Sequence, residues 1–598
     1  MPFDNLPAMF FSQAQRYAAR PRYRCRRDGG WTEVSWGTCV ERVRAMAAGL
    51  LSLGLQPGDR VALLAATRPE WIEFDLAIMA AGGVTVPIYP SNLAAECGYI
   101  IWNSEAAFVC VENASQLAKL RQLQQQGFAL DGALQPLPPC QIIVMDERGD
   151  GGTISLRELM ERGGALQTMV DQRTVAIGRD DLATIVYTSG TTGPPKGVMQ
   201  SHGNHLAAVE SISQVRMIRE GDVDFFYLPL AHSFARLIEY LGLYQGTVTV
   251  FARGIDTLLE DVREARPHLL PSVPRIYEKI FSRIQSGRQA ASPVKRLLLD
   301  WALTVGRQRS HRQLSGKPLP QVLALQAMLA DRLVFSKIHE LLGGQIRYLA
   351  SGGAPLAVEI AEFFHAAGLL ILEGYGLTET TPILTMNRPD KFKFGTVGLP
   401  VEGVTIRIAP DGEILAKGAN VARGYYKRPE DTQAAWDPEG WFHTGDIGEI
   451  DAEGFLRITD RKKDLIKTSG GKYVAPQKLE NLLKTEPHVS QAVVIGDRRK
   501  YCVALLTLDF DEVSAWAAKQ DVRLSADRAQ WTADPRVRAL IDTEVAAVNR
   551  HLASYESVKY YRLLPHDFSI ETGELTPSLK VKRKAITEKY RDVIEEMY

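Results

Sequence analysis

An α/β protein is predicted, with two doubly wound sheets and a small β region in a large first part, then a smaller α+β domain. Three patterns point to it. Strand-length apolar runs alternate with helically spaced segments through the first third and again between residues 180 and 380. Glycines and short alternating runs dominate from 396 to 460. Strands and helices then resume on a smaller scale after about Lys463. At 598 residues the chain is too long for one core, so several domains or subdomains are expected.

Residues 38–53 carry apolar positions at helical spacing, and Gly54 with the Pro57-Gly58-Asp59 turn ends that helix. Arg60-Val-Ala-Leu-Leu-Ala-Ala reads as a buried strand, 70–82 as a helix, and Val84-Thr-Val-Pro-Ile-Tyr as the next strand. Residues 281–340 are rich in Arg, Lys, Leu and Ala, with Pro293, Pro318 and Pro320 as breaks, and read as a helical insertion. Its charges are a solvated face or a membrane or partner surface. Residues 412–418 and 454–460 read as strands of the small β region. Residues 491–496 and 502–508 read as paired strands of the last domain.

Seventy Lys and Arg balance seventy Asp and Glu, so no global field favours nucleic acid or an anionic membrane. No two of the six cysteines stand at metal-ligand spacing, which fits a reduced compartment and idle thiols. Residues 1–30 lack a signal-peptide layout. The most apolar stretch, 71–90, contains Glu73 and Asp75, so no span is expected. A cytoplasmic protein is expected, with peripheral membrane contact and a homodimer both left open.

The sharpest local pattern is Tyr187-Thr-Ser-Gly-Thr-Thr-Gly-Pro-Pro-Lys-Gly197, after a strand at 182–187. Gly190, Gly193 and Gly197 let the backbone turn tightly and approach an anion. Hydroxyls on Thr188, Ser189, Thr191 and Thr192, backbone amides and Lys196 suit phosphate oxygens. It is not the Walker pattern: Gly190 lacks a glycine partner at the required offset, and Gly197, not Ser or Thr, follows Lys196.

That stretch resembles the phosphate loop of the adenylate-forming superfamily, which includes acyl-CoA synthetases, adenylation domains and luciferases. Four further segments arrive in that family's order and span nearly the whole chain. Gly374-Tyr-Gly-Leu-Thr-Glu379 resembles the adenine and metal segment, and Trp441-Phe-His-Thr-Gly-Asp446 the ribose segment. Asp460-Arg-Lys-Lys-Asp-Leu-Ile-Lys467 resembles the hinge, and Leu575-Thr-Pro-Ser-Leu-Lys580 the segment with the catalytic lysine.

The resemblance implies a first domain at 1–462 whose β region is barrel-like, and a mobile second domain at 463–598. It implies ATP and coenzyme A as co-substrates and Mg²⁺ held by Thr188 and Glu379. Tyr375 in the Gly374 segment would stack on adenine, Thr378 donate to the α-phosphate, Asp446 accept from ribose hydroxyls, and Arg461 touch the nucleotide. Gly352, Gly353, Ala354 and Pro355 would wall the adenine and acyl site. His232, in Leu228-Pro-Leu-Ala-His-Ser-Phe, is either a packing residue or the family's histidine beside the carboxylate. Lys580 is the expected adenylation lysine. Its local string departs from the usual Ser-Gly-Lys, which keeps Lys582 in reserve. Lys463 would be the pivot, and Gly470-Gly471 would line the thioester-forming face.

Three features resemble long-chain fatty-acid–CoA ligases: Gly440 to Asp464, Pro271-Ser-Val-Pro-Arg-Ile-Tyr-Glu-Lys-Ile, and the helical insertion. The implied reaction joins a fatty acid to CoA through an acyl-adenylate, releasing AMP and pyrophosphate. Arg236 and Leu237 stand where some relatives place a gating tryptophan, so that gate does not carry over. The alternatives are a ligase for another apolar or aromatic acid, an acyl-AMP synthetase feeding a carrier protein, and an idle lipid- or nucleotide-binding module.

Overall fold

A computed structural model describes residues 3–27, 30–130, 132–146, 152–188, 194–470, 472–576 and 580–598. Among these, a seven-stranded sheet runs in the order Lys196–Ser201, Leu182–Thr188, Val84–Ile88, Arg60–Leu64, Phe108–Val111, Gln141–Val144, Thr153–Ser155. It is parallel except for the antiparallel edge strand Lys196–Ser201. A nine-stranded sheet has a parallel centre that includes Leu269–Ser272, Tyr348–Ser351 and Leu370–Tyr375. These central strands read as continuous apolar runs because helices cover both faces.

The main core lies between the sheets and draws Val61, Leu63 and Phe108 from one and Phe226, Ala350 and Leu372 from the other. The helix Pro69–Ala80 is buried on nearly every side there. Its acids survive burial by pairing: Asp75 with Arg236 at 2.9 Å and Glu73 with Arg42 at 3.3 Å. The apolar stretch at 71–90 is therefore an inter-sheet helix and strand, and no helix among the described residues is long and apolar enough to cross a membrane. All six cysteines are free thiols, five of them buried.

The insertion is helical throughout but longer than its composition indicated. It comprises Pro274–Ala290, Pro293–Leu314, Gln321–Ala330, a π-helical turn Asp331–Phe335, and Ser336–Leu341. It packs on the outer face of the nine-stranded sheet through Leu303, Phe335 and Ile338. Pro274 and Pro293 each open a helix, where a missing N–H goes unneeded.

The small β region is an antiparallel four-stranded meander, half a barrel, of Val404–Ile408, Glu413–Gly418, Phe442–Ile450 and Leu456–Arg461. A smaller α+β domain follows. The expected pair Val489–Ile495 and Cys502–Leu508 is antiparallel, and a third strand, Val558–Leu564, joins it in parallel. Helices cover both faces of that sheet, giving it two small cores.

Candidate active site

A cavity opens at the carboxyl ends of Tyr348–Ser351 and Leu370–Tyr375. That is where ligands bind in sheets of this kind. Its lining is apolar at Ile212, Met217, Leu237, Ile238, Ile383 and Met386 and polar at Thr378, His232 and Lys580. Glycines bring backbone to the lining: a Cβ on Gly376 would lie 1.8 Å from the Pro382 carbonyl oxygen, and Gly353 takes a φ of +83°.

His232 is fixed by its own helix. It N-caps Ser233–Gln245, and its Nδ1 accepts the Phe234 N–H at 3.1 Å. That bond assigns the neutral ring's proton to Nε2, leaving a donor. Burial, reinforced by Lys580, pushes the imidazole pKa down to about 3, so it stays neutral near pH 7.

Lys580 reaches the same cavity from the small domain, and its N–H donates to Thr576 Oγ1 at 3.0 Å. The side chain is exposed to solvent where it lines the cavity. Burial first, then Arg461, lowers its pKa to about 8, against Asp446 and Glu379. Lys582 instead caps the helix Arg583–Lys589, its N–H on the Glu574 carbonyl at 2.7 Å.

Asp446 and Arg461 are register partners on adjacent strands, so a strand pairing brings an acid and a base together. Arg461 Nε donates to Asp446 Oδ1 at 3.1 Å, and the Tyr375 hydroxyl donates to Oδ2 at 2.7 Å. Asp446 lies within the strand Phe442–Ile450. Each carboxylate oxygen retains a lone pair for a further donor.

Glu379 sits on the one-turn 3-10 helix Thr378–Thr380 and accepts from the Tyr425 hydroxyl at 2.8 Å. Lys196 lies over the Tyr425 ring, 5.0 Å from its centre, and pairs with Asp431. The hairpin Leu182–Thr188 and Lys196–Ser201 docks on the same turn through Gln200 Nε2 to the Thr378 carbonyl at 2.7 Å. Thr188 and Lys196 are paired across it. Ser189, Gly190, Thr191, Thr192, Gly193 and Gly471 fall outside the described residues. Ala354 follows Gly353 at the exposed rim. Lys463 lies exposed in the turn between Leu456–Arg461 and Ile466–Lys467.

Tyr425, Asp431, Phe234 and most of the apolar lining escaped sequence reasoning, because they sit in ordinary apolar or loop contexts and only tertiary contacts bring them here. Arg236 turns away from the cavity into the inter-sheet core, bonded to Asp75 and Tyr240, whereas Leu237 lines the cavity.

Residues 10–426 match the AMP-binding enzyme family and 463–598 the AMP-binding enzyme C-terminal domain. The chain is 37% identical to the long-chain-fatty-acid–CoA ligase FadD15 of Mycobacterium tuberculosis over 598 residues, covering all of this chain and 97% of that protein. It is 32% identical to the long-chain-fatty-acid–CoA ligase heimdall of Drosophila melanogaster, covering all of this chain and 95% of that one. The crystal structure of the anthranilate CoA ligase AuaEII with anthranoyl-AMP aligns with a TM-score of 0.74 at 19% identity, over all of this chain and 99% of the other. The chain belongs to the AMP-binding enzyme family.

Proposed function

We propose that this enzyme is a long-chain fatty-acid–CoA ligase that forms an acyl-adenylate from ATP and then a thioester with CoA, releasing pyrophosphate and AMP. The observation that carries the reading is one cavity lined by apolar side chains together with a neutral histidine and a lysine of lowered pKa. The full-length similarity to ligases of that name supports it.

In the first step the fatty carboxylate attacks the α-phosphorus, a new P–O bond forms, and pyrophosphate leaves. Both reactants are anions, so the site must offset charge and hold them in line. Lys580 supplies a cation where they meet, the His232 Nε2–H orients a carboxylate oxygen, and Thr378 donates to the α-phosphate. Asp446 accepts from the ribose hydroxyls, beside Arg461, and Tyr375 offers its ring to adenine. The loop from Thr188 through Ser189, Gly190, Thr191, Thr192 and Gly193 to Lys196 cradles the outer phosphates, and Gly353 and Ala354 wall the site. The aliphatic chain lies along the apolar wall, each buried CH₂ contributing about 0.8 kcal/mol.

Glu379 and Thr188 offer hard oxygen donors. This fits Mg²⁺, which takes few protein ligands and completes its shell with phosphates and water. When bound there it would offset phosphate charge.

In the second step the CoA thiol attacks the acyl carbonyl carbon and AMP leaves. We assign Lys463 as the pivot at the start of the 463–598 domain, whose rotation withdraws Lys580 and admits CoA. The test is AMP release by purified protein with a panel of acids of increasing chain length, with and without CoA. CoA-dependent turnover that rises with chain length is expected. Turnover confined to short or aromatic acids would overturn the substrate reading.

A further inference from the structure

The turn Thr378–Thr380 runs into a strained residue. Thr381 takes a φ of +53°, a left-handed conformation that is an outlier for a β-branched side chain. Such strain persists only where the surroundings over-determine it, and it gathers at functional sites. Thr381 is buried, and its hydroxyl has no partner among the described residues, so its own side chain does not hold the backbone there. The hold comes from outside. Three successive carbonyls of the turn each accept from a different donor: Thr378 from Gln200 Nε2 at 2.7 Å, Glu379 from the Ala422 N–H at 2.8 Å, and Thr380 from Asn420 Nδ2 at 2.9 Å. The loop around Asn420 is held in turn by Asn204, which donates to the Ala419 and Val421 carbonyls at 2.7 and 3.1 Å.

Gln200 is itself oriented. A backbone carbonyl only accepts, so the amide must turn its NH₂ toward Thr378. Its Oε1 then faces Thr184, whose hydroxyl donates to it at 2.8 Å. Thr184 Oγ1 also lies 3.1 Å from His205 Nε2. The hydroxyl's one proton is already committed, so the imidazole is the donor there. Burial, then Arg236, pushes the His205 pKa well down, which leaves a neutral ring with its proton on Nε2. His205, Thr184 and Gln200 are all buried, and their bonds run one way, ending at the turn. Thr184 and Gln200 are register partners in the hairpin that also pairs Thr188 with Lys196. The chain thus ties the strand that carries Lys196 to the turn that carries Thr378 and Glu379.

We propose that Gln200 and Asn420 are positioning residues that hold the strained turn Thr378–Thr381, so that Thr378 and Glu379 meet the nucleotide phosphates. This rests on the roles proposed above for Thr378 and Glu379. Both amides act through the turn's backbone, and neither lines the cavity.

The experiment is acid-dependent ATP–pyrophosphate exchange by the full chain with a long-chain acid, with melting temperatures measured alongside. Gln200→Met keeps the length of the side chain but cannot donate, and Asn420→Ala removes the second amide. In each, kcat should fall at least about tenfold while KM for the acid holds, because the apolar lining is untouched. Gln200→Glu supplies the rescue. Its protonated carboxyl can donate to the Thr378 carbonyl and accept from Thr184, whereas its ionised form cannot donate. Its rate relative to wild type at the same pH should come within about threefold at pH 6 and drop at least about tenfold by pH 9. Gln200→Met or Asn420→Ala with the wild-type kcat, or a loss confined to KM, overturns the proposal. So does a Gln200→Glu rate that stays in constant ratio to wild type from pH 6 to 9, which would make Gln200 a packing residue. That comparison decides the matter even if Gln200→Met does not fold. Wild type without exchange would overturn the function reading as well, whereas active wild type with unaffected variants would overturn this inference alone.

Discussion

Raising the pH from 7 to 9 should slow acyl-adenylate formation about tenfold, because Lys580 loses its proton in that window. Its pKa is lowered to about 8, by burial first and then by Arg461. At that value the amine is about 90% charged at pH 7 and about 9% at pH 9, whereas an ordinary lysine stays charged throughout. Only the ammonium offsets the two meeting anions, so the rate falls as pH rises. The assay is acid-dependent ATP–pyrophosphate exchange at subsaturating ATP, because kcat/KM reports the free enzyme. Under saturation the limb should move to higher pH, since bound triphosphate stabilises the ammonium. In Lys580→Arg the guanidinium stays charged, so the fall should vanish even where the rate is lower. Arg461→Ala removes a cation that depresses the lysine and should shift the limb upward. A wild-type profile flat to pH 9.5, or the same limb in Lys580→Arg, would refute the assignment.

Glu379→Gln keeps an acceptor for the Tyr425 hydroxyl, so folding should survive while pyrophosphate exchange falls about a hundredfold, the scale of lost metal stabilisation; unchanged rates at ordinary magnesium would sink the metal role. Lys463→Pro fixes φ in the proposed pivot and should spare pyrophosphate exchange while blocking CoA consumption from pre-made acyl-AMP; equal loss in both steps, or none, would remove the hinge. Arg275 joins the large domain to the small one, donating to the Ser490 carbonyl at 2.7 Å and its hydroxyl at 2.6 Å. Arg275→Ala should weaken the arrangement that presents Lys580 by about 1.5 kcal/mol, roughly tenfold in its population, so exchange falls while thioester formation from acyl-AMP holds; parallel loss in both would make Arg275 merely structural.

Local pattern carried far in this chain. Strands such as Arg60–Leu64 and Val84–Ile88 announce themselves as unbroken apolar runs because both faces of a parallel sheet are covered. The phosphate loop stands out because backbone approach and charge need particular residue types at fixed offsets, whereas Gly374 to Glu379, Asp446, Arg461 and Lys580 were legible through their resemblance to the family's segments. Even the helical insertion shows in composition, though its first helix begins seven residues early, at Pro274.

Tertiary structure alone decided which of these residues meet. Lys580, not Lys582, lines the cavity with His232, its N–H bonded to the Thr576 hydroxyl, while Lys582 begins the helix Arg583–Lys589. Arg236 leaves the cavity because Asp75, buried on a helix more than 150 residues away, holds it in the core. Most of the cavity's apolar lining was invisible for the same reason: Ile212, Ile383 and Met386 are ordinary apolar residues on separate elements. A side chain that lines a cavity and one that fills a core obey the same hydrophobic pattern, and only packing separates them.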